Sequence, residues 1–270
     1  MVEQVPILIS NYNSGDAIEL CVESIRRHTL GGLYKLIVFN DMNKNGRDMA
    51  YLSDCAKLGW LEYHQAVEHL GHGEVLNRLF KLAGETSRAV LLDCDIQIKG
   101  DGWLDEGLSL LGPSILAICD ERPQYVIGAE GYCPGFYRAW FAFFNTDAYR
   151  DGMSVDWNFS YEDASQQPYA DMFSGFASYP KPPGFDPRRV CLDPGSKLWM
   201  KVHYDNPRGY QVMGIPSSLR AKFRHFSHVA YFYDVPDDHD DYTRRNKQTI
   251  LTEIRGELER LRHGNPIKHY

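Results

Sequence analysis

No stretch of this 270-residue chain strings together the roughly 20 apolar residues that a membrane-spanning helix needs, so no transmembrane segment is expected. It also lacks a Cys-x-x-Cys pair. Its six cysteines (Cys21, Cys55, Cys94, Cys119, Cys133 and Cys191) are scattered, which fits neither a zinc knuckle nor a disulfide scaffold and predicts a reducing, cytoplasmic setting. Positive charge is not in excess: 29 Lys and Arg stand against 36 Asp and Glu, a formal net charge of -7. That balance excludes bulk affinity for polyanions as the main work, while a local basic groove would survive it. The opening Met-Val-Glu-Gln-Val-Pro has an acid at Glu3 and no basic segment leading into an apolar one, so no secretory leader is expected. Internal repeats and low-complexity tracts are missing too. What is present, 43% hydrophobic and 13% aromatic residues, is enough for one large α/β domain.

Val5 to Ser10 form a near-continuous apolar run, the mark of a strand covered on both faces, and stop at the polar turn Asn11 to Asp16. From Ala17, Ile18, Val22 and Ile25 recur at helical spacing until Gly31-Gly32. A strand over Tyr34 to Phe39, a helix near Arg47 to Lys57, a short strand near Leu61 to Tyr63, a helix near Glu74 to Ala83 and a strand over Arg88 to Leu92 continue the rhythm. Alternation of this kind predicts βαβ units in a mostly parallel sheet, with ligands beyond the carboxyl ends of the strands, where Asn11, Asp41 and Asp93 lie. After about Gly102 the chain reads as irregular, aromatic-rich and punctuated by Pro and Gly. Ala139 to Asn145 is its clearest strand, and the run Trp140, Phe141, Phe143, Phe144 reads as core. Tyr132, Phe136 and Tyr137 fall in a Gly- and Pro-rich loop where rings could stack on a sugar or an aromatic acceptor. At the end, Pro236 to Asp241 reads as an acidic loop. Ile250, Leu251, Ile254, Leu258 and Leu261 then mark one face of a helix that Gly264 could cap. That helix is expected to pack on its own domain, with a homodimer through it as the alternative. The division expected is residues 1–105 and 106–235 as two halves of one domain, followed by 236–270.

The residues richest in chemistry are Leu92-Asp93-Cys94-Asp95, where a hydrophobic strand runs out into a loop. Alternation puts Asp93 and Asp95 on the same side of an extended segment, so two carboxylates can converge on a hard cation and the anion it carries. A solvated acidic turn is the rival reading. Near the end, Lys222-Phe223-Arg224-His225-Phe226-Ser227-His228 places two histidines among basic and aromatic residues. The run His69 to His72 has the look of a metal motif but sits in a loop, where contact with a nucleotide or solvent is expected instead.

Taken in order, Pro6 to Asn13, Leu36 to Asp41, Gly73 to Arg78 and Leu92 to Asp95 resemble the motifs of GT-A fold, family 2-type glycosyltransferases. The resemblance covers about the first 105 residues well and the rest loosely. It implies a GT-A, Rossmann-like α/β fold with a mostly parallel central sheet, an irregular acceptor-side half and a C-terminal helix. It further implies a nucleotide-sugar pocket drawn from Ser10, Asn11, Tyr12, Asp41, Asn77, Asp93 and Cys94, with Asp41 on the base. Asp93 and Asp95 then serve ribose and metal, with Mn²⁺ or Mg²⁺ bound through Asp95. Asn40 stands where the family carries an acid. Trp157 to Asp163 is similar to the aromatic segment ending in Glu-Asp that supplies the general base of inverting members, making Asp163 the candidate base with Glu162 and Asp156 as rivals. In the same family a late histidine reaches the metal or the diphosphate, a part that His225, or alternatively His228, would take.

The activity expected is therefore metal-dependent, inverting transfer of a sugar from a nucleotide diphosphate donor, UDP as a first guess, to an acceptor hydroxyl. The acceptor is left open among a glycan, a lipid-linked sugar, a protein, a small molecule and a modified nucleic acid. Two other classes suit the same residues: a nucleotidyltransferase, and a catalytically silent sugar-nucleotide or glycan-binding module.

Overall fold

The first strand, β1 (Val5–Asn11), is apolar because it is covered on both faces, with Ile7, Leu8 and Ile9 fully buried. Its alternating side chains feed two cores: Leu8 packs with Leu76 and Leu79, whereas Ile7 and Ile9 pack with Ile18, Val22 and Ile25. A strand sandwiched in this way belongs inside a sheet with helices on both faces. That is its place in this computed structural model, which describes residues 4–42, 46–123, 126–128, 130–176, 178–226, 229 and 241–263.

After β1 come α1 (Asp16–His28), β2 (Tyr34–Asn40), α2 (Gly46–Lys57), β3 (Glu62–Gln65), α3 (His72–Leu82) and β4 (Arg88–Asp93). The parallel registers place Ser10 beside Asp93 and Asn11 beside Asn40, so the polar ends of three strands come level. The chain continues through β5 (Ile96–Ile98), α4 (Trp103–Ser109), β6 (Ile115–Arg122), β7 (Val126–Ile127), β8 (Tyr132–Cys133) and β9 (Phe136–Asn145). It ends with α5 (Thr146–Ala148), β10 (Ser160–Asp163), α6 (Tyr169–Phe173), β11 (Arg189–Leu192), α7 (Pro194–Tyr204), β12 (Gln211–Met213), α8 (Ser217–Arg220), β13 (Phe223–His225) and α9 (Asp241–His263). Seven strands in the order β3-β2-β1-β4-β9-β6-β12 form the central sheet, in which β9 alone runs antiparallel to its neighbours. A second sheet has the order β10-β11-β8-β7, and β13 pairs with β5.

The α/β architecture, the mostly parallel sheet and the C-terminal helix are those expected from the sequence. The second half is more ordered than its composition suggested. Its extra strands are two to four residues long, too short to print a period of two on the sequence. Tyr132 is not an exposed platform but a core residue, its ring stacked 4.6 Å from that of Phe173. Phe141, Phe143 and Phe144 are core as expected, whereas Trp140 is only partly buried.

The terminal helix α9 lies along α1, burying Ile254 and Leu258 with Ala17, Leu20, Phe226 and Val229. Arg255 Nε donates to Asp16 Oδ2 at 2.8 Å, and Arg27 Nη1 donates to the Leu261 carbonyl at 2.9 Å. The apolar stripe of α9 is therefore used within the chain. Gly264 and residues 236–240 of the acidic loop lie outside the described residues. Among the described residues no helix is long and apolar enough to cross a membrane. Leu258→Ala should lower unfolding free energy by about 2–5 kcal/mol, as buried Leu truncations do, in urea titration followed by circular dichroism. A change under about 0.5 kcal/mol would show that α9 is not docked on α1.

Candidate active site

The carboxyl ends of β1 and β4, the start of α3, the first half of β9, the start of α7 and the end of β13 converge on a cavity of about 550 Å³. That volume suits a small-molecule ligand. Asp93, Cys94 and Asp95, the β9 residues Phe136 to Trp140, the helix start Asp193 to Gly195, and His225 all line it.

Asp93, Asp95 and His225 each offer one ligand atom, and these atoms lie within 4.8 Å of one another. His225 Nε2 is 3.2 Å from Asp95 Oδ1. That oxygen is buried, so the contact is made away from solvent. Burial pushes the Asp93 carboxyl above its ordinary value, with Asp95 adding to it and His72 and His225 pulling the other way. Burial also works against a charged His225, but Asp95 and then Asp93 outweigh it and its pKa is raised. Two carboxylates and an imidazole, with ligand atoms this close together, form a donor set that fits a divalent cation such as Mn²⁺ or Mg²⁺.

The backbone explains why these three meet. Asp93 ends β4 and Asp95 precedes β5, which pairs antiparallel with β13 so that Ile96 faces His225. The Phe226 amide then donates to the Asp95 carbonyl at 3.0 Å. On the cavity side the Trp140 ring stacks on that of His225, with centroids 4.5 Å apart and planes 15° apart.

Of the other residues expected at the site, Ser10, Tyr12 and Cys94 line the cavity. Ser10 Oγ is 3.3 Å from His72 Nδ1, and His72 also lines it. Asn11 lies behind the wall, its Nδ2 donating to Asn40 Oδ1 at 2.6 Å. Asp41 is also buried behind it. Its carboxylate accepts from the amides of Met42 (2.8 Å), Leu70 (2.8 Å) and Gly71 (3.1 Å), and His69 Nδ1 lies 2.8 Å away. Asn77 faces a different cavity, donating to Asp156 Oδ1 at 2.8 Å and accepting from the Trp157 amide at 3.0 Å. Glu162 and Asp163 are exposed on β10, and Asp163 Oδ1 accepts from the Ser165 amide (2.8 Å) and hydroxyl (2.7 Å). Neither lines the cavity. His228 lies outside the described residues.

A further carboxylate that does line the cavity is Asp193. It caps α7 with Oδ1, which accepts from the Ser196 amide at 2.9 Å and hydroxyl at 3.0 Å. Among the described residues nothing engages its Oδ2. The signal for it was in the sequence: Asp193-Pro194 is an N-cap followed by proline at the first helical position. Gly195 lets this helix start press on β9, since a Cβ there would stand 1.9 Å from the Tyr137 carbonyl oxygen.

The chain matches no family model and no curated protein. Among solved structures it is similar in chain path to the mannosyltransferase PcManGT from Pyrobaculum calidifontis in complex with GDP-Man and Mn²⁺. That match has 13% identity, 98% of this chain, 77% of that one and a TM-score of 0.49. It is similar to S. aureus TarS 1–349 in complex with UDP-GlcNAc at 13% identity, 94% and 72% coverage and a TM-score of 0.43. GalNAc-T7 with UDP, GalNAc and Mn²⁺ follows at 8% identity, 72% and 42% coverage and a TM-score of 0.43. These are likenesses of chain path alone. What the cavity can bind rests on its own residues.

Two outcomes are expected. Gly195→Ala should displace the start of α7 and with it Asp193, visible as lost protection of the Ser196 amide, from which Asp193 Oδ1 accepts, in hydrogen exchange; unchanged protection there would show that the contact with Tyr137 relaxes freely. Because the pKa values of Asp93 and His225 are both raised, protons compete for the site at higher pH than for free side chains. Mn²⁺ affinity, read by electron paramagnetic resonance, should therefore fall as pH drops from about 8 to about 6. A pH-independent affinity would mean that these groups do not bind the ion.

Proposed function

We propose that the protein is a metal-dependent glycosyltransferase that moves a sugar, with inversion, from a nucleoside diphosphate donor to an acceptor hydroxyl. The observation that carries this reading is the Asp93, Asp95 and His225 group standing in one cavity that Asp193 also lines. A divalent cation held by the three, Mn²⁺ or Mg²⁺, would supply charge to stabilise a departing diphosphate. Ser10, Tyr12 and Cys94 form the nucleotide side of the pocket. Asn11 and Asp41 act on it from behind, Asp41 by holding the turn from which α3 starts.

Asp193 is the acceptor-activating base in this reading, in preference to Asp163, because it faces the cavity and keeps one oxygen clear of its helix. The acceptor oxygen bonds to the anomeric carbon, the bond from that carbon to the diphosphate oxygen breaks, and the acceptor proton passes to Asp193. Attack comes from the face opposite the leaving group, which inverts the centre.

Thermal-shift measurements with UDP, GDP, dTDP and ADP, each with and without Mn²⁺, test the donor half. At about 1 mM a nucleotide with a Kd of about 0.1 mM adds roughly 1.4 kcal/mol to stability. One nucleotide should shift the midpoint, needing both Mn²⁺ and Asp95, and the shift should vanish in Asp95→Ala. No shift for any nucleotide would remove the reading. Asp193→Asn should keep nucleotide affinity and lose about 10²–10⁴ in kcat; if Asp163→Asn does so instead, the base is Asp163. Release of free nucleoside diphosphate supports sugar transfer, whereas pyrophosphate from a nucleoside triphosphate would mean nucleotidyl transfer.

A further inference from the structure

Arg138 is the one Lys or Arg among the described residues that line the cavity, and it is exposed there. Its cross-strand neighbour on β6 is Asp120, the acid that would ordinarily neutralise it. Asp120 is instead taken by an ion pair with Arg220. No hydrogen bond or ion pair to Arg138 is found among the described residues. A guanidinium whose natural partner has been bound elsewhere, in the wall of a cavity, is a cation kept ready for an external anion.

Its position narrows which anion. Arg138 and Trp140 are two residues apart on β9 and so point to the same side, about 7 Å apart along the strand. Trp140 stacks on His225. The guanidinium therefore lines the same cavity as Asp93, Asp95 and His225, on the side of β9 that carries the ring stacked on His225. The two carboxylates of that group balance a divalent cation and leave no positive charge over. A diphosphate bound there needs a further cation, and the wall offers this one.

We infer that Arg138 is a diphosphate-binding residue, contacting the leaving diphosphate of the donor beside the metal group. This rests on the proposed function, and it predicts a difference that the nucleotide, base and ribose contacts alone would not produce. The test is calorimetric titration of Mn²⁺-loaded protein with UDP and UMP, and with GDP and GMP, on wild type, Arg138→Gln and Arg138→Lys. Arg138→Gln should weaken the diphosphate by about tenfold or more while leaving the monophosphate within about twofold, and Arg138→Lys should recover part of the loss. Unchanged thermal midpoints for the exposed substitutions would exclude misfolding.

If wild type binds neither diphosphate with Mn²⁺, the proposed function itself fails and the role of Arg138 with it. If wild type binds one and Arg138→Gln leaves the ratio of diphosphate to monophosphate affinity unchanged, only the inference about Arg138 is overturned. It is likewise overturned if Arg138→Gln raises the acceptor KM alone, for then the anion that Arg138 meets belongs to the acceptor.

Discussion

The pairing of β13 with β5 is the contact on which the candidate site depends. Three residues on each side place His225 opposite Ile96, and the ladder is extended at both ends, by Lys99 N to the Lys222 carbonyl at 2.7 Å and by Phe226 N to the Asp95 carbonyl. That last bond ties the residue after His225 to the backbone of Asp95. A two-stranded ribbon this short is marginal on its own, so its position is set by what covers it. Phe223 stacks on Phe141 at 3.9 Å, Phe226 is buried beneath α9, and Gln97 Nε2 donates to Glu257 Oε2 at 3.2 Å. Arg224 also pairs with Glu253. The terminal helix, remote in sequence from Asp93 and Asp95, is thus part of what aims His225 at them.

Buried acids are destabilising unless donors meet them, and in this chain what each one faces separates scaffold from site. Asp41 is saturated by three amides and His69, and so serves to fix the turn into α3. Asp48 accepts from the Ser14 amide at 2.9 Å and from Asn11, pinning the turn after β1. Asp16 is bound to Arg255 and Arg47 and docks the terminal helix. Asp95 differs from these in what it faces, its buried Oδ1 lying 3.2 Å from His225 Nε2 in the cavity wall. Its place in the cavity wall beside Asp93 and His225, not the state of its bonding, separates it from the scaffold acids.

The half of the site built on long strands is legible in the sequence, because buried parallel strands write themselves as apolar runs and their ends as polar breaks. The motifs there point to Ser10, Tyr12, Asp93, Cys94, Asp95 and His225, all of which line the cavity. They do not distinguish residues facing the cavity from residues one layer behind, which is why Asn11 and Asp41 group with them; at a strand end the direction of a side chain is set by the turn, not by the period. The other half is harder. Strands of two to four residues leave no period, so Asp193 is visible only as a helix cap. Trp140 reads with the phenylalanines after it as core, although β9 alternates and turns it toward His225. Arg138 cannot be singled out at all, since its freedom depends on Arg220 holding Asp120, a contact across 100 residues.

Division of labour between the two walls follows from how each is anchored. The Asp93, Asp95 and His225 group is placed by backbone ladders, from β1 through β4 and from β5 to β13, together with the side chains that cover β13. Asp193 is fixed by a helix: one oxygen is committed to Ser196, Gly195 lets the first turn press on Tyr137, and the second oxygen is left to the cavity. A base used in group transfer has to be still before the acceptor arrives, because ordering it during the reaction would add to the barrier. A capping carboxylate meets that requirement, since the bond that starts the helix also fixes the direction of the free oxygen. The strands thus set where a leaving diphosphate would be held, the helix start sets where a proton would go, and the cavity between them is the space left for a sugar.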